Sequence, residues 1–362
     1  MIQEQIFDSS GVTALCERLK ASERVGLDTE FHSERTYSPR LMVLQIAFPD
    51  YVAIVDPLTP GIDLHPILAA LESVTVVGHA LQSDLKIFAE RFSYVPPRLF
   101  DTQIAASFLG YGMQISLGDL VHDIIGVRLA KSQTVSDWST RPLTAKQMEY
   151  LVDDVLHLLP MHDILTQRLT ECGRLSWCDQ ECVALAEPER YRFDRRRAYM
   201  KIPGSVRMNR RELGVLSEIV AERDHIARER DLPPKYIVPD DVISGIAQLR
   251  PKSVEDLTQL RRLEPTARRN FGARIIDAVA RGEAIPDAEL PERPNRPLGP
   301  NRETLATLLG VAIGEVARES NLPQGLLATR TVLERIARET PSSPEALAEV
   351  LDLAPWRSAL VI

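Results

Sequence analysis

No stretch of this sequence approaches the roughly 18 consecutive apolar residues of a membrane-spanning helix. With 44% hydrophobic and 26% charged residues, the composition is that of a globular protein, so no membrane association is expected. Cysteine is scarce. Cys172, Cys178 and Cys182 cluster but lack CxxC pairs, and no histidine lies close enough to complete a zinc motif, so they are expected as reduced thiols on helix surfaces. The N-terminal MIQEQIFDSS lacks a basic start followed by an apolar run, which argues against a secretory signal and makes the cytoplasm the expected home. Positive charge is also short, with a net charge of −8, so a general polyanion binder is not indicated. Between Glu189 and Arg211, however, nine basic residues face two acidic ones. That segment is either a phosphate-contacting stripe or a solvated linker face.

A chain of 362 residues predicts two or three domains. From Val25 to about Thr102, the β-rich runs ERVGLDTEF, LMVLQIAF, YVAIVDP, TVVGH and RLFDT alternate with other segments. The first three follow at hairpin-like distances, while helix-length stretches at 63–72 and 82–91 separate the later ones. This pattern predicts a mixed sheet with helical crossovers. After Asp101 the chain reads as helical, with Thr144 the predicted N-cap of a helix running through Tyr150 and Asp154.

The second half repeats itself. Aligned at a constant offset of 90 residues, 226–265 and 316–355 share 14 identities in 40 positions without a gap. Two copies of one small helical fold are predicted, free to be separate domains. Prolines at 286, 291, 294, 297 and 300 predict a semi-rigid extended linker between them.

Acidic residues at three places are the candidates for chemistry. In Leu27-Asp28-Thr29-Glu30-Phe31, Asp28 and Glu30 are two apart on a strand and point to the same face. Two adjacent carboxylates in a cleft repel one another unless cations neutralise them, which suggests a divalent metal site; a solvent-facing edge strand is the alternative. Asp84 follows the apolar run 74–77 where a strand ends and a helix starts, a place where α/β proteins put site residues. It also suits a first-turn residue favoured by the helix dipole. In Tyr150-Leu151-Val152-Asp153-Asp154, Tyr150 and Asp154 are four apart and share a helix face, whereas Asp153 points about 100° away.

Together and in this order, the three motifs resemble the catalytic signature of the DEDD exonuclease superfamily. Within it the match is to the tyrosine-bearing ribonuclease D family, through the DTEF strand, His79-Ala80 before Asp84-Leu85, Phe100-Asp101-Thr102, Ser136-Asp137-Trp138, Arg141-Pro142-Leu143 and the Tyr-x₃-Asp helix. The histidine branch needs a histidine five residues before the last aspartate, but Glu149 stands there for Asp154 and Met148 for Asp153. The repeated C-terminal segments resemble HRDC domains, small helical bundles; the second is degenerate and shorter. The resemblance implies an α/β ribonuclease H-like exonuclease domain, a mixed sheet flanked by helices, followed by two all-α HRDC-like bundles. Its boundaries are 1–172 for the exonuclease domain, 173–206 for a helical and basic connector, 207–284 for the first HRDC domain, 285–300 for the linker and 301–362 for the second copy.

What the resemblance implies for chemistry is a 3′→5′ exoribonuclease releasing 5′-nucleotides with two divalent cations, Mg²⁺ or Mn²⁺, about 4 Å apart. Asp28 would bridge the ions, Glu30 and Asp154 would hold the one that activates water, Asp84 would support the other, and Tyr150 would orient the water. His79, Lys131 and Arg141 are candidates for nucleic-acid contact, set against a packed strand-end histidine and two surface loop positions. The implied partner is an RNA 3′ end, that of precursor tRNA, met by a monomer. The same chemistry on DNA, and a non-catalytic nucleic-acid adaptor, are the competing readings.

Overall fold

The computed structural model describes residues 2–129, 137–351 and 355–361. They form two compact units, one of Met1–Phe31, Leu41–Tyr191 and Leu298–Ile362, the other of His32–Arg40 and Arg192–Pro297. Among the described residues, no helix is long and apolar enough to cross a membrane.

The first unit is built on a six-stranded sheet in the order β1-β4-β3-β2-β5-β6. Its strands are β1 (Ile2–Ile6), β2 (Arg24–His32), β3 (Arg40–Ala47), β4 (Tyr51–Val55), β5 (Thr75–Gly78) and β6 (Leu99–Asp101). β1 runs parallel to β4, β3 antiparallel to β4, and β5 parallel to both β2 and β6, so the sheet is mixed, as predicted. Each of the five β-rich runs becomes a strand. β1 gives no such signal, because Gln3, Glu4 and Gln5 separate its two isoleucines.

Both faces of this sheet are covered, and β4 shows how: Val52 and Ile54 enter one apolar core while Ala53 and Val55 enter the other. Strict alternation with apolar residues at every position is what a doubly covered strand requires. One face carries α1 (Ser9–Lys20), α2 (His65–Leu71) and α3 (Gln82–Phe92). The other carries α4 (Thr102–Phe108), α5 (Leu117–Ile125), α6 (Ala145–Leu156), α7 (Leu158–Glu171) and α8 (Leu175–Ala186). Fully burying a side chain such as Leu27 or Val25 contributes about 1.5–3 kcal/mol, and both are 0% exposed on β2. The strand that presents the acidic motif is therefore anchored through the face opposite to it.

The thiols depart from expectation. Only Cys172 is exposed; Cys178 and Cys182, four apart on α8, share its inner face and are buried, with the Asp101 backbone N–H 3.5 Å from the Cys182 Sγ.

The second unit is helical, with α9 (Arg210–Arg230), α10 (Pro234–Ile237), α11 (Asp240–Leu249) and α12 (Pro265–Ala284) around its own core, including Leu213, Leu216, Ile243, Ile246, Ile275 and Val279. Basic residues of the 190–211 stripe are spent here on structure. Arg195 pairs with Glu218 at 2.7 Å, Arg210 donates to the Leu290 carbonyl at 2.7 Å, and Arg211 clamps the carbonyls of Gly282, Glu283 and Ile285 and the Asp287 carboxylate. The start of the proline-rich segment is anchored in the same way: a Cβ on Gly214 would lie 2.8 Å from the Leu290 side chain, which is buried.

The internal repeat is realised in the first three helices of each copy. α13 (Pro300–Glu319), α14 (Gln324–Leu327), α15 (Arg330–Glu339), α16 (Pro344–Leu351) and α17 (Pro355–Val361) complete the chain. α14 and α15 begin and end 90 residues after α10 and α11. The left-handed residues that stop the helices repeat too, Asp231 and Asn321 at φ 47° and 49°, Arg250 and Thr340 at φ 50° and 45°. The second copy does not stand by itself, because Ile313, Ala317, Leu326, Leu327 and Leu333 join the core of the first unit. The Trp356 ring stacks on Trp177 at 5.3 Å, and Arg174 joins the carbonyls of Phe108 and Ser320.

Candidate active site

Asp28 and Glu30 project from β2 toward α6, as the period of two requires: a Cβ on Gly26, on the same face, would sit 3.2 Å from the Val155 carbonyl and from Leu158. α6 is set by a capping box, Thr144 accepting from the Gln147 backbone and Gln147 returning to the Thr144 N–H at 2.9 Å. Leu151 and Val155 bury one side of the helix and turn Tyr150 and Asp154 to β2. The result is that one carboxylate oxygen from each of Asp28, Glu30 and Asp154 lies within 4.8 Å of the others.

Asp84 approaches from the opposite face. It is in the first turn of α3 and is 5% exposed. Its carboxylate accepts from the hydroxyl of Thr29, the residue between the two acids on β2. The turn that delivers it is tight: a Cβ on Gly78 would come 2.2 Å from Leu81 and 3.1 Å from the Leu27 carbonyl, so only glycine fits. Asp101 holds that turn, accepting from the N–H groups of Ala80 and Leu81 at 3.1 and 2.8 Å while capping α4 through Gln103 and Ile104.

The electrostatics are those of a site built for cations. Burial, with repulsion from Asp84, Asp154 and Glu30, raises the Asp28 carboxyl well above the usual carboxylate range. Burial lifts Glu30 to about 8, with Asp154 and Asp84 adding to it. Asp84 is raised to about 7 by burial, against the pull of the Thr29 hydroxyl. Asp154 is raised to about 6, also by burial, against the hydrogen bond from Tyr150. Tyr150 is pushed up by burial first and then by Asp154 and Glu30, so it stays a neutral hydroxyl. Its ring lies 5.8 Å from that of Trp138, a buried residue. A hard, all-oxygen donor set crowded into one cleft fits divalent metal ions.

The three candidates for nucleic-acid contact fare differently. His79 has both ring nitrogens engaged by protein, Nδ1 with the Thr102 hydroxyl at 2.9 Å and Nε2 with the Ile115 carbonyl at 3.0 Å. A phosphate there would displace one of them. Lys131 lies outside the described residues. Arg141 is a pin: its Nε and one terminal nitrogen grip the Asp56 carboxylate at 2.5 and 2.9 Å, and it also donates to the carbonyls of Met42, Trp138 and Thr140. Arg141→Ala is expected to lower stability by roughly 3 kcal/mol, because it strands the buried Asp56 charge. Arg141→Lys should not restore the loss, since a single ammonium cannot reproduce the fork. Urea denaturation measures both; unchanged stability in Arg141→Ala would refute the pin.

Sequence reasoning missed Thr29 as a partner of Asp84 and left Trp138 without a role at Tyr150. Asp101 carried a usable signal, an aspartate directly before a helical segment.

Comparison with known proteins fits this geometry. Residues 3–170 match a family model described as 3′-5′ exonuclease, and residues 212–279 one described as HRDC domain. A protein named Ribonuclease D from Acidiphilium cryptum is 38% identical over 359 residues, covering 97% of this chain and 89% of that protein. Another of that name from Granulibacter bethesdensis is 36% identical, covering 94% and 88%. The crystal structure of Escherichia coli RNase D, described as an exoribonuclease involved in structured RNA processing, superposes with a TM-score of 0.86 at 28% identity. That likeness covers 97% of this chain and 99% of the other.

Proposed function

The chain belongs to the ribonuclease D family, and from that premise we propose that its 3′→5′ exoribonuclease activity is carried by Asp28, Glu30, Asp84, Asp154 and Tyr150 with two divalent cations, Mg²⁺ or Mn²⁺. The observation that carries this reading is the gathering of carboxylate oxygens from Asp28, Glu30 and Asp154 within 4.8 Å of one another. Asp28, flanked by Asp84, Asp154 and Glu30, would help to hold the cations. Glu30 and Asp154 would hold the ion on the side of Tyr150, and Asp84, from the other sheet face, would support the second. The cations supply positive charge to an anionic phosphodiester and to its departing 3′-oxygen.

The residues of the chain do the rest. The Tyr150 hydroxyl, held by Asp154 and backed by the Trp138 ring, orients the attacking water. The products are 5′-nucleotides. Tyr150→Phe removes one hydrogen bond and no ligand, so kcat is expected to fall roughly 10- to 100-fold with cation affinity unchanged. A weaker cation affinity in that variant would mean that Tyr150 acts on the ions and not on the water.

The substrate reading is the 3′ trailer of precursor tRNA, in the cytoplasm. Support comes from the Escherichia coli neighbour, described as acting in structured RNA processing. The first HRDC domain, 207–284, and the related copy at 301–362 are read as RNA-backbone holders outside the site. The test is release of mononucleotides from 3′-extended tRNA, unstructured RNA and matched DNA, each with EDTA, Mg²⁺ or Mn²⁺. Cation-dependent trimming of the tRNA is expected. Equal rates on DNA would overturn the RNA assignment, and trimming in EDTA would overturn the metal one.

A further inference from the structure

Among the described residues, Gln45 has both side-chain polar atoms, Oε1 and Nε2, buried without a hydrogen-bond partner, and the residue is 0% exposed. A primary amide offers two donors and an acceptor, and leaving all of them unpaired in an apolar interior is costly. Its place on the sheet says what it faces. β3 neighbours β2, and only residues 33–39 join them. That is too short for the crossover of about a dozen residues that parallel neighbours need, so the pair is antiparallel. A Cβ on Gly26 would meet the Ala47 Cβ at 3.3 Å, which makes those two residues opposite partners on the α6 face. Two steps along each strand, in opposite directions, Gln45 comes opposite Asp28, with the same face shared by Val43 and Glu30. Opposed side chains have Cβ atoms about 4.5–5.5 Å apart, within reach of a glutamine amide.

We infer that Gln45 is a positioning residue for the cation site, its Nε2–H donating to the Asp28 carboxylate when that group holds a cation. The inference rests on the reading of Asp28 as a cation ligand. A carboxylate drawn to a cation keeps lone pairs for a neighbour, and such outer partners fix the orientation of the ligand. A neutral donor does this without cancelling the negative charge that the cations require, which a lysine at the same position would do. That bond gives the Nε2 donor its acceptor.

The test uses the full-length protein with Mn²⁺ as the probe, comparing wild type with Gln45→Met, which keeps the length of the side chain, and Gln45→Leu as a second replacement. Calorimetric titration reads cation affinity, melting in EDTA reads the cation-free fold, and hydrolysis of unstructured RNA at varied Mn²⁺ reads function. Gln45→Met is expected to melt higher than wild type in EDTA, because the orphaned amide is gone. It should also bind Mn²⁺ roughly 10- to 100-fold more weakly, need correspondingly more Mn²⁺ for half-maximal rate, and leave the KM for RNA unchanged. Wild-type Mn²⁺ affinity in both variants would overturn the inference, and so would failure of both to fold, since that makes the amide part of the scaffold. If wild type itself binds no Mn²⁺, the reading of Asp28 falls first and takes this one with it.

Discussion

Asp28→Asn is expected to remove hydrolysis by about three orders of magnitude or more while leaving a folded protein that still binds RNA. The size follows from the several kcal/mol that cations contribute to a phosphoryl transition state, at about 1.4 kcal/mol per tenfold in rate. The fold survives because the mutation removes a buried group that burial and three neighbouring acids already disfavour as an anion. The variant should therefore melt no lower than wild type in EDTA near pH 8, where Asp154 and Asp84, raised to about 6 and about 7, are charged beside it. Single-turnover hydrolysis with saturating Mn²⁺, RNA binding by anisotropy and melting in EDTA measure the three parts. Activity within tenfold of wild type would remove Asp28 from the chemistry.

The second expected result is that the cation-free protein loses stability as pH rises, the reverse of ordinary acid denaturation. Carboxyls in an unfolded chain titrate near 4, whereas folding raises Asp154 to about 6, Asp84 to about 7, Glu30 to about 8 and Asp28 in the same direction. Between those limits the folded state binds more protons than the unfolded one. The stability these groups contribute is thus fully present below about pH 4 and is lost as pH climbs through 6 to 8. The loss is on the order of 5 kcal/mol between pH 5 and pH 9, or roughly 10–20 °C in melting temperature. Mg²⁺ or Mn²⁺, binding only the folded chain and only its ionised acids, should restore most of it at pH 8.5 and little at pH 5. Melting curves in EDTA and in Mn²⁺ at the two pH values decide this. A melting temperature that stays level or rises with pH in EDTA would show that the acids are solvated and not gathered.

Both results depend on residues that local sequence patterns single out. Asp28 and Glu30 declare themselves by a spacing of two in an apolar run, and Tyr150 and Asp154 by a spacing of four behind the Thr144 cap. Such patterns are legible because backbone geometry fixes which side chains share a face over a few residues. The 90-residue repeat is legible for a related reason, since the first helices of both copies carry the same local signals, down to the left-handed residues at matching helix ends.

By itself, then, the sequence determined the family, the mixed sheet, the helical repeats and the carboxylates, all properties of short segments. The tertiary structure alone showed that Arg141 grips Asp56, 85 residues away. It decided too that His79 is tied to Thr102 and Ile115, that Asp84 meets the site through Thr29 from the other sheet face, and that the second helical copy closes the core of the first unit. An arginine or a histidine carries the same donors whether it meets a phosphate or a carboxylate, and the choice is made by whichever partner the packed chain brings within about 3 Å.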